Sequence, residues 1–240
     1  MRNAVAKEAL IIPWKGEGYR LIPSRFPPVS IYEGLTASNR LEALVAVENI
    51  TNPRLRSAER LARTDPLVTA DLPRLQNWNH APFAYGNPEG SLFFDHARPC
   101  LELADEPQTA LAVSVERRQR FLARTREAPI GLDMRMLKTT VEGRFLDLRN
   151  IPVDIDADQR RKLGAGVPTD IDGVVYHPPE RPSATCVAVL KGTALGRSLQ
   201  TVHYRYFWNG TRISLLYAFD EEGREVLPEH LAGESNILAA

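Results

Sequence analysis

Proline limits the first third of this chain more than any other residue. Between Pro13 and Pro28 lie four prolines and two glycines, with Arg20 and Arg25 among them. Each proline removes a backbone donor and sets its ring against the preceding turn, so no long helix can cross this segment. Residues 19–22 and 29–32 are predicted as short strands. Asn39 with Glu42 three positions on makes a capping box, opening a helix that carries Leu41, Leu44, Val45 and Glu48 and ends before Asn52-Pro53. A weaker helical piece is predicted over 57–63. A second proline-marked stretch, 65–90, holds Pro66, Pro73, Pro82 and Pro88 among Asn77, Trp78, Asn79, His80, Phe83, Tyr85 and Asn87. It reads as a long loop, either functional or packed down by its aromatics.

The rest of the chain is more regular. Asp105 and Gln108 give a second capping signature, followed by a helix to about Arg126. Leu111, Val115 and Leu122 recur at the helix period and should face the core. Val113 falls on the other side, with Arg117, Arg120 and Arg124, an odd place for a valine. Strands are predicted around Leu132, Met134 and Met136, then over 145–149, 174–176 and 185–190, with a capped helix at 156–163. Asp172-Gly173 reads as a turn. Residues 204–208 and 211–217 flank Asn209-Gly210 and form the clearest hairpin, with a two-residue type I′ turn. The tail after Glu221 is acidic and alanine-rich and reads as loosely held. The sum is one α/β domain of the α+β kind, without a regular βαβ alternation.

Composition narrows the function classes. The 240 residues carry 30 basic and 30 acidic side chains, so bulk charge offers nucleic acid nothing, and direct nucleic-acid binding is not expected. Of the basic residues only five are lysines. Arginine is the better bidentate partner for phosphate, although genomic base composition produces the same bias. Cys100 and Cys186 match neither a metal-ligand spacing nor a disulfide framework. No apolar run reaches membrane-spanning length, and the start, with Glu8 in a short apolar stretch, has no signal-peptide pattern. The chain reads as cytoplasmic. No phosphate loop, dinucleotide fingerprint, zinc helix or nucleophile elbow is found, and His80, His96, His177, His203 and His230 show no metal-binding spacing. The remaining candidates are polar residues in awkward places: Arg20, Arg25, Asn87, Glu89 and His203. For each, a structural role at a turn, rim or sheet surface is the simpler reading.

Several segments, in order, resemble the RES-domain family, bacterial toxins paired with Xre-type antitoxins. They are Tyr19-Arg20-Leu21-Ile22-Pro23-Ser24-Arg25-Phe26-Pro27-Pro28-Val29, Thr51-Asn52-Pro53-Arg54-Leu55-Arg56 and Asn87-Pro88-Glu89-Gly90-Ser91. Arg120-Phe121-Leu122, Leu132-Asp133-Met134-Arg135, Asp172-Gly173-Val174-Val175-Tyr176, Cys186-Val187-Ala188-Val189 and His203-Tyr204-Arg205-Tyr206-Phe207-Trp208 follow. The resemblance implies a RES-like domain over 19–220, with an extension at 1–18 and a tail at 221–240. Its implied fold is similar to ADP-ribosyltransferases, with small mixed or antiparallel sheets around a cleft and peripheral helices. Members destroy NAD at the nicotinamide–ribose bond, by hydrolysis or phosphorolysis, and so arrest growth.

That chemistry needs arginines on the diphosphate and an acid facing the charge that grows on the ribose. The chain departs from the family at those positions. The family arginine falls on Leu92, the glutamate on Val113 and the serine on Pro178, while the usual tyrosine falls near Leu101 or Glu102. Leucine cannot bond a phosphate, valine carries no charge, and proline has neither hydroxyl nor backbone donor. The resemblance therefore points to an inactive member that binds a protein or a nucleotide metabolite. The alternative is an NAD-consuming enzyme using Glu89 or Glu102 as a relocated acid. Arg20, which matches an early family arginine near the cofactor, could with Arg25, Asn87 and His203 form a residual cofactor rim. No cofactor is required; NAD is the implied ligand or substrate. Implied partners are an Xre-type antitoxin, a RES paralogue or a second copy of the chain.

Overall fold

A computed structural model describes residues 10–23, 77–84 and 87–238. The strands and helices predicted within 29–63, and Arg25, lie outside the described residues. The expected α+β class is borne out: eight strands form one mostly antiparallel sheet flanked by a few helices.

The first strand, β1 (Ile11–Pro23), is far longer than the predicted 19–22. Pro13 and Pro23 are tolerated because β1 pairs along its whole length with β3 (Ile130–Asp147) but meets β2 (Leu101–Ala104) only at Tyr19. A strand with a neighbour on one side can aim a missing donor away from the ladder. Residues 11–18 therefore lie within the sheet rather than ahead of it.

The strand order is β1, β2, β5 (Cys186–Val189), β4 (Gly173–Tyr176), β3, β6 (Leu195–Trp208), β7 (Ile213–Phe219) and β8 (Arg224–Val226). Since β1 also pairs with β3, the first five strands of that order close into a ring, and β6–β8 extend from it. Only β3 and β4 run parallel. Leu101, Leu103, Val141, Phe145, Val175, Val187 and Val189 converge with Ile12 and Trp14 from all five strands, filling the ring. A second core lies on the opposite side. There helix α2 (Pro107–Thr125) packs Leu111, Val115 and Leu122 against Met134, Met136, Val174, Tyr204 and Tyr206. Burying each such side chain contributes about 1.5–3 kcal/mol.

Four local expectations are corrected. The stretch read as a loop contains helix α1 (Asn77–Ala84), with Pro82 inside it. Proline cannot donate to the carbonyl four residues back, and the Arg20 Nη2 donates to that Trp78 carbonyl instead. The Asp105–Gln108 capping box does not form. Helix α2 starts after Glu106 without a side-chain cap, Asp105 accepts from the Thr185 amide, and Gln108 turns to the tail. The hairpin forms as predicted, but β6 starts at Leu195, well before 204, β7 runs over Ile213–Phe219, and Trp208 pairs with Ile213, leaving a four-residue loop in place of the two-residue turn. Asn209 Oδ1 accepts from the amides of Thr211 and Arg212, and Gly210 takes φ +97°.

The tail is docked rather than loose. Gln108 Nε2 donates to the carbonyls of Leu231, Gly233 and Ser235, and its Oε1 accepts from the Ile237 amide. Helix α3 (Ala157–Ala165) is capped as expected, and the cap is a capping box between Asp156 and Gln159. Among the described residues, no helix is long and apolar enough to cross a membrane.

Candidate functional site

Alternation along β2 puts Leu101 and Leu103 inside the ring and turns Glu102 outward beneath α2. Its carboxylate is about one-tenth exposed and bonded at both oxygens: Arg117 Nη2 lies 2.6 Å from Oε2, while the Tyr176 hydroxyl at 3.1 Å and the Leu92 amide at 3.4 Å approach Oε1. Arg117 follows Val113 by one helical turn, and Tyr176 precedes Pro178 by two residues. The structure thus gathers at Glu102 the segments carrying Leu92, Val113 and Pro178. Val113 itself is half-buried against the core, and Pro178 is buried, its carbonyl accepting the Arg181 amide at 3.2 Å.

The Glu102 charge organises its neighbours. It raises the Arg117 pKa further above its ordinary value, outweighing the effect of burial. Burial, reinforced by the same carboxylate, pushes the Tyr176 phenol well up and the Cys100 thiol to about 12. Burial also raises the Cys186 thiol. Both cysteines should therefore stay protonated at pH 8. Neither should react with Ellman's reagent in the folded protein, and both should react after unfolding. Rapid labelling of folded protein would show that these thiols are not held as described.

Beside Tyr176 runs a groove of about 240 Å³, open to solvent and lined by Leu92, Phe93, Leu148, Ile151, Tyr176 and His177. Its lining is mostly apolar. The loop that forms one wall, 177–184, is pinned at both ends. His177 Nδ1 lies 2.5 Å from the Ala184 carbonyl, and buried Arg181 binds Glu106, Thr109 Oγ1 and the tail carbonyls of Gly233 and Glu234.

The other sequence candidates lie elsewhere. Glu89 sits on an exposed turn, its two oxygens bonded to Arg124 at 2.7 and 3.1 Å. Asn87 closes that turn, donating to the Gly90 carbonyl and accepting from the Glu89 amide. Arg20 and His203 lie on the opposite face of the sheet. Their strand neighbours Tyr19, Leu21 and Tyr204 face the core under α2, whereas Arg20 reaches α1. The predicted rim and the predicted acid are therefore not neighbours. Sequence reasoning named Glu102 but missed its partners Arg117 and Tyr176. The available signal was an arginine one turn after the misplaced Val113.

Two comparisons bear on these positions. A family model described as RES domain matches residues 67–209, a span that includes Leu92, Glu102, Val113, Tyr176, Pro178 and His203. The chain is also similar to uncharacterized protein y4oC of Sinorhizobium fredii (strain NBRC 101917 / NGR234). The two are 65% identical over 227 residues, which is 94% of this chain and 97% of that protein.

Proposed function

Because the chain belongs to the RES domain family, we propose that this toxin–antitoxin-type protein does not turn over NAD and acts by binding. The observation that carries the proposal is the Glu102 carboxylate held in an ion pair with Arg117. Cleaving the nicotinamide–ribose bond builds positive charge on the sugar, and a carboxylate already paired with a guanidinium offers that charge little net field. Here one oxygen is held by Arg117 and the other by Tyr176 and the Leu92 amide. Val113 and Leu92 supply neither the missing acid nor a cation for the diphosphate, and Pro178 supplies no hydroxyl.

Binding then takes one of two forms. A protein partner would be an Xre-type antitoxin, a RES paralogue or a second copy of the chain. A nucleotide or other metabolite, NAD included, would be held without turnover on the face that carries Arg20 and His203, apart from Asn87, whose amide is used by its own turn. The second reading is an NAD-consuming enzyme that uses Glu102, with Glu89 as the more exposed alternative. It is favoured by one fact: a nearly buried carboxylate stands between Leu92 and Tyr176. In that reading the bond to Arg117 must break for each turnover.

Induced expression in a bacterial host separates the two. Cellular NAD and growth should match those of an empty-vector control, while an active family member lowers both. A fall in NAD that depends on Glu102 would overturn the proposal.

A further inference from the structure

The groove beside Tyr176 is lined by one cation that no described carboxylate neutralises. Arg160 stands in the first turn of α3, its amide bonded to the Asp156 carbonyl at 3.1 Å. Its side chain reaches back to the groove, where Nη2 donates to the Val153 carbonyl at 2.5 Å. That bond anchors the guanidinium at the groove wall. The rest of the fork makes no bond among the described residues.

The carboxylates nearby are committed elsewhere. Glu102 is paired with Arg117, and Asp147, which precedes Leu148 of the groove, is held by Arg149 through bonds of 2.9 and 2.6 Å. Asp156 accepts the Gln159 amide at the start of α3, and Asp154 is exposed to solvent. Glu180, next to Pro179, acts on Arg117. No residue of the lining carries a negative charge.

The other walls are apolar and partly aromatic. Phe93 and Tyr176 meet edge to face, their ring centroids 5.1 Å apart, and Leu148, Ile151 and Ile155 add aliphatic surface. Leu92 stands where the resemblance places the family's arginine, so the wall that would meet a diphosphate is apolar as well.

We propose that this groove binds a small apolar carboxylate, an aromatic ring on a short acid arm. The carboxylate lies on Arg160, and the ring lies against Phe93, Tyr176 and Ile151. A planar guanidinium holds a carboxylate through charge-assisted bonds, and an anchored one loses less freedom on binding. Apolar walls with one well-placed polar group suit such a ligand. A dinucleotide would find a single cation for its two phosphates. The inference goes beyond the proposed function, since the groove lies apart from the face that carries Arg20 and His203. It depends on no property of NAD, so nicotinamide release would overturn that reading and leave this one to its own test.

The test is a saturation-transfer NMR titration of phenylacetate with the full chain. Saturable transfer to the ring protons is expected for the native protein. Arg160→Gln should weaken binding roughly tenfold or more, and Arg160→Lys should recover part of the loss. Phenylacetamide keeps the ring but lacks the charge, and should bind the native chain weaker by roughly the same factor. Arg212→Gln, in the exposed hairpin loop, should leave phenylacetate binding unchanged. If Arg160→Gln fails to fold, the comparison of acid and amide on the native chain still decides. The proposal is overturned if the native protein shows no saturable transfer, if folded Arg160→Gln binds phenylacetate as well as the native chain, or if acid and amide bind alike. An equal loss in Arg212→Gln would reduce the effect to general attraction by surface charge and overturn it too.

Discussion

Gly173→Ala is expected to destabilise the protein by roughly 3 kcal/mol, at the upper end of what overpacking costs. A Cβ at this position would lie 2.1 Å from the Ala188 carbonyl oxygen and 2.9 Å from the Phe145 ring. The first obstacle is backbone on the neighbouring strand. Because β4 is held between β3 and β5 in a closed ring, it cannot move away without breaking a ladder on one side. Gly16→Ala in β1 provides the contrast. Its Cβ would meet only the Trp14 side chain, at 3.6 Å, so the change should stay within about 0.5 kcal/mol. Urea denaturation of the two variants measures both values. Equal effects would mean that β4 is not enclosed as described.

Arg181→Ala should cost about 3 kcal/mol, near the lower end for breaking a buried ion pair. Arg181 is almost wholly buried, and its loss removes the cation beside Glu106, which keeps only the Thr109 hydroxyl, and takes a donor from Thr109 Oγ1 and from the Glu234 carbonyl, while the Gly233 carbonyl keeps Gln108 Nε2. Glu106 is one-third exposed and recovers some hydration, which keeps the cost from rising further. The structural consequence is as informative as the energy. Arg181 ties the tail to the 177–184 loop and to the start of α2, so the variant should show faster hydrogen exchange over 228–238 than over β6 and β7. A global loss of stability with an unchanged tail would contradict this linkage.

How much was legible in the sequence followed the range of the forces involved. Helix α3 has its cap three residues from its partner, and the hairpin end of β6 and β7 carries a strong local pattern, so both could be read directly, although the first nine residues of β6 could not. The extent of β1 could not, because the tolerance of Pro13 depends on which of its sides lacks a neighbour. Helix α1 was hidden by Pro82, whose missing donor is made good by Arg20 from a distant strand. The Asp105–Gln108 signature failed for the same kind of reason. Gln108 finds four partners in a tail more than 120 residues away, and these outcompete a local cap.

The candidate site shows the same division. Family resemblance located Leu92, Val113 and Pro178, and periodicity marked Val113 as out of place. That Glu102 would be captured by Arg117 and Tyr176 depends on β2, α2 and β4 meeting, which no local spacing encodes. The split of Arg20 and His203 from Glu102 is likewise a property of the sheet. Alternation within each strand is readable, but which face meets which helix is settled only by the closed topology.

The most direct test of an inactive, Arg117-paired Glu102 is nicotinamide release from NAD by the purified full chain, followed by HPLC with and without phosphate, beside an active family member. Release at the level of the protein-free control is expected for the native chain, for Glu102→Ala and for Glu89→Ala alike. Release at enzymatic rates that disappears in Glu102→Ala would contradict it, and would make Glu102 the acid that Val113 cannot be.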